Sequence, residues 1–381
     1  MKRIRLGDAC DILNGFAFKS DKYVEDGIRI IRIANVQKGY IEENAPAFYP
    51  IDSVGLEKYM LEEGDLLMSL TGNVGRVACL QKEMLPAALN QRVACLRLKV
   101  DRITKGFLFH ILNSDFFEQQ CVQASNGVAQ KNISTEWLKD YEIPLYSIEE
   151  QLKITDILDK VRRIIISRND ELSALDNLIK ARFVEMFGDP VSNSYGLPEA
   201  TLPELGEFGR GVSKHRPRND PKLLGGDCPL IQTGDVANAG LYITSYNNTY
   251  SELGLKQSKM WDKGTLCITI AANIAKTAIL EFDACFPDSV VGFTANEKTS
   301  NIFIHYWFSF FQAILESQAP ESAQKNINLK ILSELKIIVP EKDKQDEFVA
   351  FIKQVYKSKF IDIINLLKIL LFFKRGMYYG N

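Results

Sequence analysis

The sequence lacks the residue patterns that most metal proteins and disulfide-rich proteins show. It has three histidines, His110, His215 and His305, which lie far apart, and its seven cysteines form no Cys-x-x-Cys pair. Scattered thiols in an odd number are typical of a protein in a reducing compartment. We therefore expect no metal site, no structural disulfides and a cytoplasmic location.

Motifs for nucleotide chemistry and catalysis are missing as well. There is no Gly-x-x-x-x-Gly-Lys-Ser/Thr loop for ATP, and no Asn/Asp-Pro-Pro-Tyr segment of the kind that amino-methyltransferases carry. Pro287-Asp288 followed by Glu297-Lys298 is an incomplete nuclease pattern, because no residue separates the Glu from the Lys. We predict no catalytic residue in this chain.

Long apolar runs are absent too. Residues 1–6 lack the apolar core of a signal peptide, and the longest apolar run, residues 363–373, is broken by Asn365 and Lys368 and is too short to span a bilayer. We predict no membrane association. The formal net charge of −2 argues against generic nucleic-acid binding unless the charge is segregated or a partner provides it.

What the sequence does contain is one long stretch without glycine or proline, residues 147–187. Its apolar residues recur at alternating spacings of three and four, which predicts a continuous helix with one apolar stripe. Ser147 and Glu150 have the spacing of a capping box, and Gly188 is a typical helix stop. About forty residues give a helix roughly 60 Å long, and a stripe of this length needs a partner helix.

The chain also repeats itself. Ala129–Ile133 and Ala323–Ile327 are identical and lie 194 positions apart, with weaker matches in the same order around them. Such a pattern indicates a tandem duplication. We predict two globular domains of mixed α/β (α+β) fold, each followed by a long helix, with the boundaries 1–146, 147–190, 191–342 and 343–381.

Local patterns predict several elements of the first domain. Residues 27–36 and 92–100 alternate like strands, and residues 105–123 have helical spacing. The small residues of 71–75 favour a hairpin turn between two strands, although such a turn could also cradle a phosphate.

The two predicted helices carry matching stripes at the repeat offset, so we expect them to pair as an antiparallel coiled coil with the globular domains at opposite ends. Arg168, the one charge on the first stripe, falls opposite Asp362; the two could pair and fix the register, or each could face solvent. The residues predicted to pair are Ile154, Leu158, Val161, Ile165, Arg168 and Leu172 in the first helix, and Phe348, Ile352, Val355, Asp362 and Leu366 in the second.

This layout resembles the DNA specificity subunit of type I restriction-modification systems. The resemblance covers essentially the whole chain and is carried by the order of the duplicated unit, Ile143-Pro144, Val339-Pro340, Glu150-Gln151, Lys344-Gln345 and the helix ending at 182–190. The second helix departs from the first, because it is about two residues shorter and lacks the acidic-proline ending.

The resemblance implies a non-catalytic protein. Each globular domain would be a target recognition domain that reads one half of a split, asymmetric double-stranded DNA sequence. The helices would set the spacing and dock methyltransferase subunits, two by expectation, and a restriction/translocase subunit would join them. S-adenosylmethionine, ATP and Mg would belong to those partners, with no cofactor bound by this chain.

Basic and amide side chains in exposed loops are the predicted DNA contacts. The densest basic stretch, residues 210–219, contains Lys214, Arg216 and Arg218, which suit phosphates and, for the two arginines, guanine. Its counterpart in the first domain contains Lys19. Three neighbouring side chains could read base edges, or could simply cap a strand edge: Asn90, Gln91 and Arg92.

Two further sets recur in both domains. Gln130 and Lys131 repeat as Gln324 and Lys325, and identity between domains that read different sequences suggests a shared role in phosphate contact or loop architecture. Arg76 and Lys276 follow equivalent turns and are also candidates for phosphate contact.

The residues alone leave two other classes of function open. A scaffold with two protein-binding domains on a coiled coil would suit the near-neutral charge. An enzyme with one acid/base centre per repeat would need matched ionisable residues. The matched pairs, Arg76 with Lys276 and Lys131 with Lys325, are basic and have no paired carboxylate or histidine.

Overall fold

The computed structural model of the chain describes residues 2–125, 131–217, 220–271, 274–318 and 327–359. The chain divides into two compact units, residues 1–166 and 167–381, and the boundary falls within the long helix. We call residues 1–146 the first head and residues 191–342 the second head.

The first unit is built from strands and helices, and four of its strands form an antiparallel sheet. Its strands are β1 Arg3–Arg5, β2 Cys10–Asn14, β3 Ile28–Ile31, β4 Phe48–Tyr49, β5 Leu66–Ser69, β6 Val77–Cys79, β7 Ala87–Leu89, β8 Val93–Leu98 and β9 Glu142–Pro144. Its helices are α1 Leu6–Ala9, α2 Lys105–Leu112, α3 Asp115–Ala124, α4 Thr135–Asp140 and the first part of α5 Ile148–Phe187. The sheet order is β2-β8-β5-β6, a smaller sheet has the order β4-β3-β7, and β1 pairs with β9.

The second unit contains the rest of α5 and the second head. Its strands are β10 Glu199–Ala200, β11 Gly206–Arg210, β12 Leu224–Leu230, β13 Tyr242–Ile243, β14 Asn248–Tyr250, β15 Met260–Trp261, β16 Leu266–Thr269, β17 Thr277–Leu280, β18 Ala284–Cys285, β19 Val290–Ala295 and β20 Ile337–Ile338. Its other helices are α6 Leu202–Leu205, α7 Thr233–Asn238, α8 Glu252–Lys256, α9 Asn301–Gln318, α10 Leu329–Glu334 and α11 at 342–359.

The main sheets of the two units share one strand arrangement. The second sheet has the order β11-β19-β16-β17-β13, so its first four strands correspond to β2-β8-β5-β6 of the first unit. The extra strand β13 pairs parallel with β17. The second unit also contains a smaller sheet of the order β14-β12-β18-β15 and the short strand pair β10-β20. The duplicated sequence therefore folds into duplicated sheets.

Helix α5 begins and ends where its sequence signals predict. The backbone N of Ser147 donates to Glu150 Oε2 at 2.9 Å, and the backbone N of Glu150 donates to Ser147 Oγ at 3.3 Å, which completes a capping box. At the other end, Gly188 has a φ of +75° and donates to the carbonyl oxygen of Val184 at 2.8 Å. A left-handed residue ends the helix, and glycine adopts that conformation without strain.

Two predicted elements are interrupted or shortened in the structure. The helical spacing of 105–123 is confirmed, but it belongs to two helices: α2 ends at Leu112, and Ser114 Oγ accepts from the backbone N of Phe117 at 3.2 Å and caps α3. The predicted strand 27–36 ends at Ile31, because Asn35 Oδ1 accepts from the backbone N of Arg32 at 2.9 Å and turns the chain. The hairpin prediction for 71–75 is confirmed, since β5 and β6 pair antiparallel on either side.

The end of α5 and the start of α11 pack together in the core of the second unit. Phe348, Ile352 and Val355 are buried with Ile179 and Phe183, and the rings of Phe183 and Phe348 lie 5.3 Å apart. The contacts run in antiparallel order: Arg182 bonds Glu347 at 2.9 Å, and further back along α5 Asp176 bonds Lys359 of α11.

The other residues predicted to pair have different surroundings. Ile154 and Leu158 line an apolar groove in the first unit together with Phe107. Val161, Ile165 and Leu172 are partly buried, and Arg168 Nη1 bonds Glu171 Oε2 at 2.5 Å. Asp362 and Leu366 lie outside the described residues. Pairing along the whole length of both helices, as a coiled coil, stays a prediction.

None of the helices in the described part of the chain combines the length and the apolarity needed to cross a membrane. Within the same residues, no group of three or more His, Cys, Asp or Glu side chains is arranged to hold a metal ion.

Candidate nucleic-acid interface

Loops from several parts of the first head meet at one end of its main sheet. Asn14, the last residue of β2, pairs with Ala94 of β8, and Ser69, the last residue of β5, pairs with Val93. The loops beyond these strand ends therefore lie side by side. Together they form what we call the first loop cluster: residues 14–20, 70–76, 89–92 and 131–132.

Glycine is required where two of these loops touch. A Cβ on Gly15 would lie 2.1 Å from the carbonyl oxygen of Asn90, closer than any side chain tolerates. The neighbouring backbone is bonded across the same contact, because Gln91 N donates to the carbonyl oxygen of Phe16 at 2.9 Å. The absence of a side chain lets one loop hold the other in place.

The predicted base-reading residues lie in this cluster. Gln91 and Arg92 are exposed and line one shallow depression together with Thr71 and Asn132. The hydroxyl of Thr71 donates to Asn132 Oδ1 at 3.3 Å, so Asn132 connects two loops. Amide and guanidinium groups that share one open surface can pair with base edges in a DNA groove.

Main-chain hydrogen bonds hold the cluster together. Leu70 N donates to the carbonyl oxygen of Arg92 at 3.0 Å, Ile133 N donates to that of Leu70 at 2.9 Å, and Ser69 N donates to that of Arg76 at 3.0 Å. The first two bonds join the hairpin to the strand start of β8 and to the residue after the repeated Gln-Lys-Asn segment, and the third closes the hairpin itself.

The second head builds the same frame from equivalent residues. Ile270 N donates to the carbonyl oxygen of Ser289 at 3.0 Å, Ile327 N to that of Ile270 at 3.0 Å, and Thr269 N to that of Lys276 at 2.9 Å. Here too a glycine makes the close approach, since a Cβ on Gly211 would lie 2.2 Å from the carbonyl oxygen of Phe286. The second loop cluster consists of the described residues of 210–217, 270–276, 286–289 and 327.

The side chains on this common frame differ. Asp288 and Ser289 stand where the first head has Gln91 and Arg92. Asp288 Oδ2 lies 3.4 Å from Arg216 Nη2, so a carboxylate and a guanidinium share the second cluster. Sequence reasoning did not select Asp288 as a DNA contact; alignment of the two repeats at the strand start of β19 would have shown that it replaces Gln91.

The side chain of Arg216 forms hydrogen bonds with the main chain of its own loop. Its Nη1 donates to the carbonyl oxygens of Ser213 at 2.5 Å and His215 at 2.9 Å, and its side chain is 54% exposed. Lys214, in the same loop, is exposed. The backbone N–H of Lys222 and the ring of His215 hold the pKa of Asp220 below its usual value, so this loop keeps a negative charge beside its cations.

The remaining predicted residues have varied positions. Lys19 and Lys131 are exposed in the first loop cluster. Arg76 is partly buried and its Nη1 bonds Gln37 Oε1, while Lys276 lines a cleft with Asp176 and Lys180 of α5. Four predicted contacts lie outside the described residues: Gln130, Arg218, Gln324 and Lys325.

Two similar heads of this kind, each with a polar loop cluster at the end of a sheet with the same strand order, define a class of two-domain recognition protein. The sequence profile of the type I restriction modification DNA specificity domain matches residues 1–176 and 199–370. The chain belongs to that family. It is a specificity subunit with two DNA specificity domains and not a catalytic subunit, which confirms the prediction from the sequence.

Individual relatives agree with this assignment. The chain is 25% identical over 385 residues to the type I restriction enzyme EcoBI specificity subunit of Escherichia coli, a match that covers 93% of this chain and 79% of that one. It is 30% identical over 184 residues to the MjaVIII specificity subunit of Methanocaldococcus jannaschii, covering 46% and 43%.

Solved structures share the fold. The S subunit of a type I restriction-modification system from M. genitalium has a TM-score of 0.55 at 15% identity, over 97% of this chain and 93% of that one. A chain from a structure of type I restriction-modification assembly and conformational transition has a TM-score of 0.52 at 18% identity, over 97% and 95%.

Proposed function

We propose that each head reads one half of a bipartite, asymmetric DNA target through its loop cluster. The observation that carries this proposal is the common main-chain frame of the two clusters combined with their different side chains. Gln91 and Arg92 in the first head offer donors that suit adenine and guanine, whereas Asp288 in the second head offers an acceptor that suits the amino group of cytosine. Two heads with different chemistry read an asymmetric site.

The chain then directs catalytic partners to that site. We propose that it assembles in the cytoplasm with methyltransferase subunits, two in number, and with restriction subunits, and that S-adenosylmethionine, ATP and Mg bind to those partners. The near-neutral net charge supports a division of labour, because a chain at −2 gains little non-specific DNA affinity by itself.

We also propose that the pairing of α5 with the C-terminal helix continues as an antiparallel coiled coil. The contacts of Arg182 with Glu347 and of Asp176 with Lys359 support this, since they already run in antiparallel order. Continued at the same spacing, the order would bring Arg168 towards Asp362.

The decisive experiment maps the methylated motif. The full chain with its methyltransferase partner modifies DNA in cells, and the modified bases are located by sequencing. Arg92→Ala should relax preference at one position of one half-site, a loss of about 1–3 kcal/mol in discrimination. Asp288→Asn should change the other half-site instead.

Arg5 provides the matched control. It is an exposed arginine in β1, which belongs to a different sheet from the loop cluster. Arg5→Ala should leave both half-sites unchanged. A complex that retains no DNA in a sequence-selective way would contradict the proposal and favour the scaffold alternative.

A further inference from the structure

A fully buried glutamine joins each head to the start of a helix. Gln151 lies in the first turn of α5 and Gln345 in the first turn of α11, and both have 0% relative exposure. A buried amide destabilises the fold unless its donors and its acceptor find partners. Both glutamines satisfy this condition, each with two carbonyl acceptors and one donor from the segment that precedes a helix of the head.

Gln151 connects three segments of the first unit. Its Nε2 donates to the carbonyl oxygens of Arg102 at 2.8 Å and Tyr146 at 3.0 Å, and its Oε1 accepts from the backbone N of Thr104 at 2.8 Å. Arg102 and Thr104 belong to the short segment before α2, and Tyr146 lies two residues before the start of α5. One side chain therefore bonds the start of the long helix to the start of a helix that belongs to the head.

Gln345 makes the equivalent contacts in the second unit. Its Nε2 donates to the carbonyl oxygens of Lys298 at 3.0 Å and Pro340 at 2.9 Å, and its Oε1 accepts from the hydroxyl of Thr299 at 2.9 Å. Lys298 and Thr299 stand before α9, as Arg102 and Thr104 stand before α2. The arrangement has been kept in both copies although most of the surrounding side chains differ.

A second attachment follows eleven residues later on each helix. Arg162 Nη2 donates to the carbonyl oxygen of Gly39 at 2.5 Å, and its guanidinium lies 5.0 Å from the ring centre of Phe109. At the equivalent position, the hydroxyl of Tyr356 accepts from the backbone N of Leu241 at 3.1 Å. Eleven residues are about three turns, or roughly 16 Å along one helix face. Two attachments on one face fix both the direction of the helix and its rotation against the head.

We propose that Gln151 and Gln345 are positioning residues that fix the orientation of each head on its helix and thereby select the half-site separation that the chain accepts. This inference rests on the proposed function. Each base pair inserted between two half-sites moves them apart by about 3.4 Å and rotates them by about 34°. Heads with rigid attachments cannot follow such a change, whereas heads with loosened attachments can.

The test measures affinity against half-site separation. The full chain, in complex with its methyltransferase subunits, is titrated with duplexes whose two half-sites are separated by one base pair more or less than in the methylated motif. The unaltered chain should lose about tenfold in affinity per inserted base pair, comparable to one mismatched pair. Gln345→Leu should lose about threefold or less, with base preference inside each half-site unchanged.

Two further variants complete the design. Gln119→Leu makes the same chemical change on the exposed face of α3 and should keep the original separation profile. Tyr356→Phe removes one hydroxyl and keeps the ring, so it should fold and should broaden the profile less than Gln345→Leu. If Gln345→Leu does not fold, Tyr356→Phe decides the matter.

A readout without DNA separates this inference from the proposed function. Spin labels at exposed Leu253 in α8 and exposed Gln354 in α11 report the orientation of the second head on its helix. Gln345→Leu should broaden the distribution of label distances. Unchanged label distances or an unchanged separation profile in the folded variants would overturn the inference. Absence of sequence-selective binding by the unaltered complex would instead overturn the proposed function. The label distances would still show whether Gln345 fixes the orientation of the second head on its helix.

Discussion

The two heads present different chemistry on the same main-chain frame. In the first cluster, Gln91 and Arg92 precede β8 and face solvent, whereas in the second cluster Asp288 and Ser289 precede β19 and the carboxylate lies near Arg216. The bonds that hold the loops, such as Leu70 to Arg92 and Ile270 to Ser289, have the same length of 3.0 Å in both. The comparison teaches that recognition chemistry has diverged while the support of the loops has not.

The interiors of the heads have diverged as well. The helices α2 and α9 are equivalent, but Phe109 of α2 is replaced in α9 by His305, whose Nδ1 lies 2.9 Å from Thr277 Oγ1. Around the start of α11 the second unit has a core of phenylalanines that pack mainly edge to face, whereas around the start of α5 the first unit has an apolar groove lined by Ile154 and Leu158. The second unit should therefore respond more strongly to changes in its core and to acid.

The largest expected difference concerns Phe348 and Ile154, which occupy the same position in the repeat. Phe348→Ala should destabilise the protein by about 3–5 kcal/mol, because its fully buried ring packs on Phe183 and Phe187. Ile154→Ala should cost only about 1 kcal/mol, because the side chain is partly exposed. Urea unfolding of both variants measures the difference, and equal losses would show that the groove is covered as fully as the core.

The next effect is a pH dependence located in the second unit. Burial lowers the pKa of His305 to about 4. In the unfolded chain a histidine has a pKa of about 6.5. Between that pH and the lower pKa of the folded state, the unfolded state binds a proton at this ring and the folded state does not. The free energy of unfolding should fall by at most about 3 kcal/mol as the pH drops from about 6.5 to about 4, because His305 is partly exposed in the cleft that Lys276 also lines.

His305→Phe, which copies Phe109 of the first head, should remove this component of the acid sensitivity. Unfolding curves recorded between pH 7 and pH 4 measure the slope for both proteins. The two slopes would be equal if the imidazole of His305 took up its proton in the folded state at the same pH as in the unfolded chain.

The third prediction tests whether both loop clusters require glycine at the same close backbone contact. Gly15→Ala and Gly211→Ala should each destabilise by about 1–3 kcal/mol, because the new methyl group meets a backbone carbonyl in both loop clusters. Gly234→Ala is the control, since a Cβ there meets nothing within 4 Å. Thermal melting of the three variants measures the effect, and a loss confined to one head would break the equivalence of the two frames.

The smallest effect concerns the charge on the helix stripe. Reversing Arg168 and Asp362 singly and together should show a coupling of about 0.5–1 kcal/mol if the two residues pair, and double reversal should restore part of the loss. Arg168 also bonds Glu171, so single reversals alone do not settle the pairing. Additive changes in melting temperature would show that Arg168 and Asp362 do not pair.

The parts of the fold that depend on local signals could be predicted from the sequence. The long helix needs only the absence of glycine and proline, the Ser147-Glu150 box and Gly188, all of which act within one or two turns. The family and the duplication were also accessible, because identical segments such as Ala129–Ile133 and Ala323–Ile327 need no three-dimensional knowledge.

The parts that depend on distant contacts could not be predicted. The helical periodicity of 105–123 continues across Ser114. Only the hydrogen bond from the backbone N of Phe117 to Ser114 Oγ shows that a second helix begins there. The proximity of Arg216 to Asp288 joins residues 72 positions apart, and neither the basic loop nor the incomplete nuclease pattern indicates it. The burial of Gln151 and Gln345 likewise depends on carbonyl groups from other segments.

The loop clusters are held by bonds between main-chain atoms, and such bonds do not depend on which side chain a residue carries. A substitution at Gln91, Arg92, Asp288 or Ser289 leaves the amide and carbonyl groups of the frame in place. Mutation can therefore explore new side chains at these positions without first solving a folding problem. The same frame that stabilises one recognition surface makes the protein readily able to evolve another.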